Sequence, residues 1–334
     1  MQYGRFWNEP RKTNPSTNMR TRISARRKTA LELQLPATSA NLGPAFDAAA
    51  LAFGLFLKVR AQAADSFSIK ARGRDADICG KLDNHLILTT YQDVLQAEGR
   101  PAQPLTLHIE NQIPIGKGCG SSASARLAGI ALAVHFGKLG WSDHRIVGEA
   151  SRREHHPDNA SACWMGGVTV ARMATENEAQ IACVTPRGKW PLLLAVPEEA
   201  LSTEEARRVL PAQYSRRDAV TNIQNSMLLL AALVQGRADL LAAALHDRIH
   251  QPYRAALCPL LPALQELAGG PGILGAVLSG AGPSVLVFLD PRGNPARSKK
   301  IVAEHVRKHQ LRAELLLTSV TKDGALRSRG WTRK

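Results

Sequence analysis

The sequence predicts an α+β protein with two domains. Its 334 residues suit two domains of about 150 residues each. Hydrophobic residues make up 44% of the chain, which is enough for a sizeable core. Several short stretches alternate apolar with polar residues between helical patterns, as antiparallel strands with one wet face do. We expect a basic tail at 1–28, an N-terminal domain at 29–186, a C-terminal domain at 187–321 and a basic tail at 322–334.

The N-terminal domain begins with a strand near Thr29. Leu31, Leu33 and Leu35 alternate with polar residues there, and Pro36 is expected to end the strand. Apolar or alternating patterns predict further strands at 48–59, 105–109, 168–173 and 181–184. Helical spacing predicts helices at 83–98, 122–136 and 142–156.

The C-terminal domain follows a junction at 186–191, which has a proline at each end. Strands are predicted at 192–196, 273–278, 284–289 and 312–317, with a glycine turn at 279–283. Helices are predicted at 203–210, 218–235, 237–250 and 296–309.

The charge is unevenly distributed along the chain. The net charge is +15, of which residues 1–28 carry +7 and residues 322–334 carry +4, so the body is only mildly basic. Basic tails are usually solvated and disordered. We therefore expect disordered tails and no nucleic-acid partner.

Cysteine usage and hydropathy indicate the compartment. The five cysteines are widely spaced and form no Cys-x-x-Cys pair, which argues against a disulfide framework or a zinc site. No apolar run approaches the roughly 20 residues that cross a bilayer, and the N-terminus lacks the apolar core of a secretory signal. We expect a soluble, cytoplasmic protein with no membrane partner.

A glycine- and serine-rich loop joins the strand at 105–109 to the helix at 122–136. Its glycines let the backbone approach an anion closely, and the following helix directs its positive dipole end at that anion. The loop therefore suits a polyphosphate such as that of ATP. Its residues are Pro114, Ile115, Gly116, Lys117, Gly118, Cys119, Gly120, Ser121 and Ser122.

Other interpretations of this loop stay open on its residues alone. It lacks the Gly-x-x-x-x-Gly-Lys-Ser/Thr pattern of a Walker A loop. The segment from Gly118 to Ala123 fits a dinucleotide pattern, with Asp143 about 20 residues on, but the alternating strand before it is unlike a central Rossmann strand. A tight turn at a helix start is the third interpretation.

Two distant segments add polar and glycine-rich loops. Asn41 and Asp47 lie in the turn 39–47, and Gly280 and Gly282 lie in the turn 279–284. With the loop 114–122, these segments resemble, in order, the three motifs of the GHMP kinases. The segments Glu154–Asn159, Ser202–Leu210 and Asp247–Arg254 resemble the homoserine kinases of that family, and the likeness covers about residues 30–320.

The resemblance implies a fold and an activity. The fold is a ribosomal-S5-domain-2-like α/β domain followed by a ferredoxin-like α+β domain. The activity is ATP-dependent phosphorylation of the side-chain hydroxyl of L-homoserine to O-phospho-L-homoserine, in threonine biosynthesis. The enzyme would be a phosphotransferase with an alcohol acceptor, would use ATP and Mg²⁺, and would form a homodimer.

The resemblance also implies roles for individual residues. Arg207 and Arg254 would bind the substrate carboxylate, and Asp158 its ammonium group. Asn41, Asp47 and Asn159 would position the hydroxyl end, with Asp47 and Asn159 as catalytic residues. Asn84 and the glycines Gly280 and Gly282 would join the loop 114–122 in binding ATP.

The metal ligands and the general base are less defined. Ser122 and Glu154 would hold Mg²⁺, with Glu149 in reserve. Asp47 is a candidate base, and direct proton loss to the phosphate is the other possibility. His155 and His156 are expected to have a structural or polar role rather than to bind a metal.

Three residues depart from the family pattern. Ala45 and His155 stand where the family usually has Gly, and Cys119 replaces an aliphatic residue. At a position of positive φ, such a substitution costs on the order of 1 kcal/mol.

Two alternatives to the homoserine kinase activity stay open. One is a kinase for another small alcohol, such as a mevalonate-type or sugar-type acceptor. The other is a catalytically silent homologue that regulates or binds nucleic acid through its basic tails.

Overall fold

A computed structural model describes residues 30–325. The tail predicted at 1–28 therefore lies outside the described residues, and of the tail predicted at 322–334 only residues 322–325 lie within them. None of the helices in this described range is long and apolar enough to cross a membrane.

Residues 30–184 form a six-stranded sheet with helices on one side. The strands are β1 (Ala30–Ala40), β2 (Ala49–Ala63), β3 (Ser68–Gly73), β4 (Leu105–Asn111), β5 (Val168–Met173) and β6 (Ala179–Val184). Their order is β3-β4-β2-β5-β6, and β1 pairs with the long strand β2. The helices are α1 (Ala76–Cys79), α2 (Leu86–Ala97), α3 (Ser121–Phe136), α4 (Asp143–Glu154) and α5 (Asp158–Met165).

Residues 191–319 form a four-stranded antiparallel sheet. Its strands are β7 (Pro191–Val196), β8 (Ile273–Leu278), β9 (Val285–Leu289) and β10 (Glu314–Ser319), in the order β10-β7-β9-β8. The helices are α6 (Thr203–Arg208), α7 (Arg216–Gln235), α8 (Ala238–Ala244), α9 (Gln251–Arg254), α10 (Leu260–Gln265) and α11 (Pro295–Lys308), with a 3₁₀ turn at Ala255–Leu257. This strand order and the two crossovers are those of a ferredoxin-like domain.

Both faces of the second sheet are covered. Leu192 and Leu194 point to one face and pack in the same core as α7 and α8, whereas Leu193 and Ala195 point to the other face and pack with α10 and α11. This period of two is what a strand requires when each face meets helices. The predicted α+β architecture with two sheets is confirmed.

Three local predictions were wrong. Pro36 does not end β1, because the register shifts between Pro36 and Ala37, and a bulge tolerates a residue without an N–H donor. The helix predicted at 237–250 ends at Ala244, since Asp247 accepts hydrogen bonds from the N–H groups of 249, 250 and 251 and so replaces helical bonds. The prediction of antiparallel pairing holds for β4 on one side only, because β4 is antiparallel to β2 but parallel to β3.

The two sheets are joined beside the strands β2 and β10. Phe53 and Val320 form an antiparallel bridge, and the N–H of Gly54 donates to Thr318 Oγ1 at 3.1 Å. Arg74 donates to both oxygens of Glu314 at 2.7 and 2.8 Å. These contacts hold the two halves so that their glycine-rich turns meet.

Candidate active site

The loop 114–122 is shaped by three glycines and by the start of α3. Gly116, Gly118 and Gly120 have φ of 70°, 74° and 71°, a region that glycine enters without a steric penalty. Gly120 is the N-cap of α3 and supplies no side-chain cap. The amide groups of the first helical turn therefore face the cavity without a side-chain partner, as an anion site at a helix N-terminus requires.

The second glycine turn closes directly on this loop. A Cβ atom on Gly118 would lie 2.2 Å from the carbonyl oxygen of Ser279 and 2.6 Å from that of Gly282. Ser279 Oγ donates to the Gly118 carbonyl at 2.7 Å. The two glycine-rich turns, which are distant in sequence, thus form one backbone surface.

Asn41 ties the first polar loop to the same surface. It has a φ of 70° directly after β1, its Nδ2 donates to the Gly280 carbonyl at 2.9 Å, and its Oδ1 accepts from the Asp47 N–H at 2.9 Å. Its amide therefore orients the loop that carries Asp47.

Arg207 and Arg254 both reach the cavity from the C-terminal half. Arg207 Nη2 lies 2.8 and 3.0 Å from the two carboxylate oxygens of Asp47. Arg254 is 1% exposed, and its Nε donates to the Ala206 carbonyl at 2.9 Å. Each guanidinium lies 5.4 Å from the ring of Phe46, within the range of a cation–π contact. Phe46 therefore supports both arginines.

His250 orients Arg254 through a hydrogen bond. Arg254 Nη1 lies 3.1 Å from His250 Nδ1, and His250 Nε2 lies 2.8 Å from the Gly43 carbonyl. Since arginine can only donate and a carbonyl can only accept, the imidazole is neutral with its proton on Nε2. Burial, with the charge of Arg254 acting in the same direction, lowers the pKa of His250 to about 4. Burial and then the charge of Arg207 lower the pKa of Arg254 to about 10, so Arg254 is charged at neutral pH.

Asp158 presents a buried carboxylate to the cavity, with an oxygen within 4.8 Å of the Asp47 carboxylate. Its Oδ1 lies 2.6 Å from His156 Nδ1 and accepts from the Asn159 N–H at 2.6 Å. Its Oδ2 is buried and has no hydrogen-bond partner in the described part of the chain. Burial lowers the pKa of His156, whereas the hydrogen bond and charge of Asp158, with two further carboxylates, raise it, and the net pKa lies above the ordinary histidine value.

Asn159 lies between this carboxylate and the glycine loop. Thr38 Oγ1 donates to Asn159 Oδ1 at 2.7 Å. A Cβ atom on Gly120 would lie 1.9 Å from Thr38 Oγ1 and 3.3 Å from Asn159 Oδ1. Glycine at position 120 is therefore needed for Thr38 and Asn159 to approach the helix start.

Glu154 and Ser122 meet beside the helix start. Ser122 Oγ donates to Glu154 Oε1 at 2.6 Å, and Arg126 Nε donates to the same oxygen at 2.6 Å. Glu149, in contrast, accepts hydrogen bonds from Arg152 and Arg153 and does not line the cavity. Of the two glutamates, Glu154 is the one that stands at Ser122.

The cavity is thus lined by groups from every predicted segment. They are Asn41, Phe46, Asp47, Gly116, Gly118, Gly120, Ser121, Ser122, Glu154, His156, Asp158, Asn159, Arg207, Arg254, Gly280 and Gly282. Phe46 and the roles of Thr38 and His250 were missed, although all three lie inside or beside the segments that the sequence indicated. His156 has a polar role, as expected, in its contact with Asp158.

Five predicted ATP-binding residues do not line the cavity. Asn84 is exposed, with a φ of 52° in the turn before α2. Cys119 is fully buried beneath the loop, and burial raises the pKa of its thiol to about 12. The Lys117 ammonium donates to the Glu198 carbonyl, and the Ile115 N–H donates to Asp75 Oδ2 at 3.2 Å. The fifth is Pro114, which is buried at the start of the loop.

A larger concavity of about 1080 Å³ covers the outer face of the first sheet. Five of its charged side chains form ion pairs, with Arg72–Glu110 at 2.6 Å, Lys58–Glu110 at 3.4 Å and Arg60–Glu32 at 3.6 Å. Exposed ion pairs of this kind are common on protein surfaces and do not by themselves indicate a binding site. The cavity between the glycine turns, where buried polar groups converge, is the candidate site.

Two protein-family models match the chain. Residues 85–167 match "GHMP kinases N terminal domain", and residues 229–308 match "GHMP kinases C terminal". The first match contains the glycine loop, Glu154, Asp158 and Asn159. The second contains Arg254 and the second glycine turn.

Curated relatives cover most of the chain. A homoserine kinase of Solibacter usitatus is 43% identical over 258 residues, which are 77% of this chain and 84% of the relative. A homoserine kinase of Desulfitobacterium hafniense is 36% identical over 296 residues, 88% of this chain and 99% of the relative.

A solved structure shares the fold. The crystal structure of homoserine kinase from Cytophaga hutchinsonii superposes with a TM-score of 0.76 at 21% identity. The match covers 89% of this chain and 97% of that one.

Proposed function

The chain belongs to the homoserine kinases of the GHMP kinase family, and on this premise we propose how its site performs the reaction. It transfers the γ-phosphoryl group of ATP to the side-chain hydroxyl of L-homoserine, forming O-phospho-L-homoserine and ADP, as a step of threonine biosynthesis. The observation that carries the choice of substrate is the buried Asp158 carboxylate, whose free oxygen shares one cavity with two arginines.

The two arginines and Asp158 recognise opposite ends of the amino acid group. Arg207 and Arg254 bind the substrate carboxylate, because a guanidinium matches a carboxylate with two parallel hydrogen bonds. Asp158 Oδ2 accepts from the ammonium group. An unpaired buried carboxylate oxygen is costly, and a substrate ammonium removes that cost, which supports this assignment.

Asp47, Asn159 and Asn41 position the hydroxyl end. Asp47 and Asn159 are the catalytic residues that contact the reacting hydroxyl, and Asn41 orients the Asp47 loop. During transfer the hydroxyl oxygen bonds to the γ-phosphorus while the bond from that phosphorus to the β,γ-bridging oxygen breaks. Both oxygens of Asp47 are engaged by Arg207, so we favour direct passage of the hydroxyl proton to a phosphate oxygen.

The loop 114–122, with Gly280 and Gly282, holds the ATP phosphates through backbone amides. Asn84 contributes on the nucleotide side. Phosphoryl transfer depends mainly on positioning and charge neutralisation, and converging backbone amides meet both needs.

Mg²⁺ is the metal that this site fits. Ser122 and Glu154 offer a hydroxyl and a carboxylate oxygen 2.6 Å apart, and hard oxygen donors are what Mg²⁺ prefers. The ion would neutralise charge on the β- and γ-phosphates. Glu154 must give up part of its contact with Arg126 to bind it.

A homodimer is proposed from the family resemblance. Sedimentation equilibrium of the full chain tests it, and a single species of 36.1 kDa would contradict it.

The substrate assignment is tested by Mg²⁺-dependent ADP release with homoserine, mevalonate, galactose and shikimate offered separately. Stimulation by homoserine alone is expected. Turnover of a different alcohol in its place contradicts the assignment, and turnover of none supports the silent homologue.

The role of Asp158 is tested with 4-hydroxybutanoate, which is homoserine without its ammonium group. The wild type should prefer homoserine, and Asp158→Ala should lose homoserine turnover with its circular dichroism unchanged. Asp93→Ala, which removes an exposed carboxylate outside the cavity, is the matched control. Near-normal homoserine turnover in Asp158→Ala refutes the ammonium contact.

A further inference from the structure

Three potential metal ligands meet on the outer side of the second sheet, between α10 and α11. His305 lies in the last turn of α11 and His309 directly follows that helix, so the two are four residues apart on one face. Glu266 directly follows α10. Their ligand atoms all lie within 4.8 Å of one another, and none of the three residues lines the active-site cavity.

We propose that Glu266, His305 and His309 form a binding site for a divalent transition-metal ion of the zinc type. The two histidine ring centroids lie 4.5 Å apart, with the ring planes inclined at 44° to each other. Both rings direct Nε2 at the same atom, Glu266 Oε2, at 3.3 Å from His305 and 3.2 Å from His309. Two imidazoles and one carboxylate thus converge from two helices.

The two distances to Glu266 Oε2 match a coordination shell. In a tetrahedral site with bonds of about 2.0–2.1 Å, neighbouring ligand atoms are about 3.3 Å apart. A charge-assisted N–H···O bond is shorter, at about 2.7–2.9 Å. The observed 3.2 and 3.3 Å therefore fit ligands around an ion better than a tightened ion pair.

The donor set selects the metal. Imidazole nitrogen suits Zn²⁺, Ni²⁺ and Cu²⁺, whereas Mg²⁺ and Ca²⁺ prefer oxygen alone. Glu266 is 57% and His309 31% exposed, so water can reach the ion and complete its shell. His305 Nε2 also donates to the Ala263 carbonyl at 2.8 Å, and metal binding would exchange this hydrogen bond for coordination.

A bound ion would join α10 to α11. Both helices already pack on the same side of the second sheet, with Leu261, Leu264, Val302 and Val306 in one core. Because the three ligands are brought together only in the folded chain, a metal bound to them stabilises that state by mass action. The site is independent of the kinase reaction and of the oxygen ligands beside Ser122.

The proposal is tested by calorimetric titration of the metal-free full chain with ZnCl₂ alone. We expect the double variant His305→Gln/His309→Gln to bind one ion fewer than the wild type. His309→Gln and Glu266→Gln should each weaken that ion by at least about tenfold, since even the loss of an outer partner costs 10- to 100-fold. His108→Gln, an exposed histidine on β4, is the matched control and should bind like the wild type.

A second measurement distinguishes the loss of metal binding from a folding defect of the variants. Zn²⁺ should raise the unfolding temperature of the wild type and of His108→Gln more than that of His309→Gln, whose exposed side chain can change without opening the core. Kinase activity of the zinc-free variants, assayed with Mg²⁺, should match that of the wild type and report their fold. Equal Zn²⁺ stoichiometry and affinity in the wild type and the double variant would overturn the proposal. The cluster of Asp47, His156 and Asp158 would then be the ligand set to examine.

Discussion

The proposed active site has a phosphate side made of backbone and an acceptor side made of charged side chains. The phosphate side consists of the backbone of two glycine turns, 114–122 and 279–284, which touch through Gly118 and Ser279. The acceptor side consists of charged side chains from separate segments, which hold one another through Asp47–Arg207, Arg254–His250 and His156–Asp158 contacts.

This difference determines what each side tolerates. The backbone surface depends on the absence of Cβ atoms, so substitutions there act by steric clash. The side-chain network depends on charge and protonation, so its weak points are electrostatic and vary with pH. Four predictions separate these two kinds of dependence.

The largest effect is expected for Gly118→Ala on the phosphate side. The new Cβ would meet the carbonyl oxygens of Ser279 and Gly282 at 2.2 and 2.6 Å, and backbone cannot yield as a side chain does. We expect loss of roughly 4 kcal/mol of stability and loss of ATP turnover, measured by denaturant unfolding and ADP release. Gly116→Ala is the control, because its nearest neighbour would be 3.6 Å away and only the positive φ costs about 1 kcal/mol. Equal effects of the two substitutions would contradict a steric origin.

The next effect is a pH dependence carried by His250 on the acceptor side. Its pKa is about 4 in the folded chain and about 6.5 when unfolded, so the unfolded state binds the proton first as the pH falls. Its contribution is complete above pH 6.5 and is lost between pH 6.5 and 4, by roughly 3 kcal/mol at most. Unfolding of the wild type and of His250→Asn across this window should show a flatter profile for the variant. Parallel profiles would show that His250 does not carry the dependence.

The two arginines should differ in stability but not in substrate binding. Arg254→Met leaves the buried Ala206 carbonyl and His250 Nδ1 without their donor and should cost roughly 1–3 kcal/mol. Arg207→Met removes a pair whose side chains are 35% and 31% exposed, and its stability cost should stay near or below about 1 kcal/mol. Either change should raise the KM for homoserine about 10- to 100-fold, as the loss of a charged hydrogen bond does. An unchanged homoserine KM in both variants, or a raised KM for ATP alone, would break the division into two sides.

The smallest effect is expected for a substitution of His155, at the end of α4 next to Glu154. His155 ends α4 with a φ of 68°, a conformation that glycine adopts at helix ends without strain. His155→Gly should therefore stabilise the chain by up to about 1 kcal/mol, measured by thermal unfolding. Ala45→Gly is the control and should not stabilise, because Ala45 is buried and is not among the described residues with positive φ. The strain considered for Ala45 therefore does not arise there, and of the two departures only His155 has a positive φ.

Local patterns were sufficient for most elements. The leucines of β1, the alternation of β4 and the spacing of α3 predicted those elements to within a few residues, because each has its own period. The exceptions have long-range or side-chain causes. Pro36 is carried through β1 by a register shift against β2, and α8 ends early because Asp247 captures the amides that follow.

The sequence by itself determined the α+β fold and the family, because the periods of the elements and the three motifs in order are local features of the chain. Through the resemblance to the GHMP kinases it also predicted the phosphate loop and the charged residues of the acceptor side. Only the tertiary structure decided which partners those residues have. Glu154 rather than Glu149 stands at Ser122, and His250 supports Arg254. One oxygen of Asp158 has no hydrogen-bond partner among residues 30–325. Each of these facts depends on burial or on contacts between segments that are distant in the chain. The spacing of neighbouring residues encodes neither burial nor such contacts.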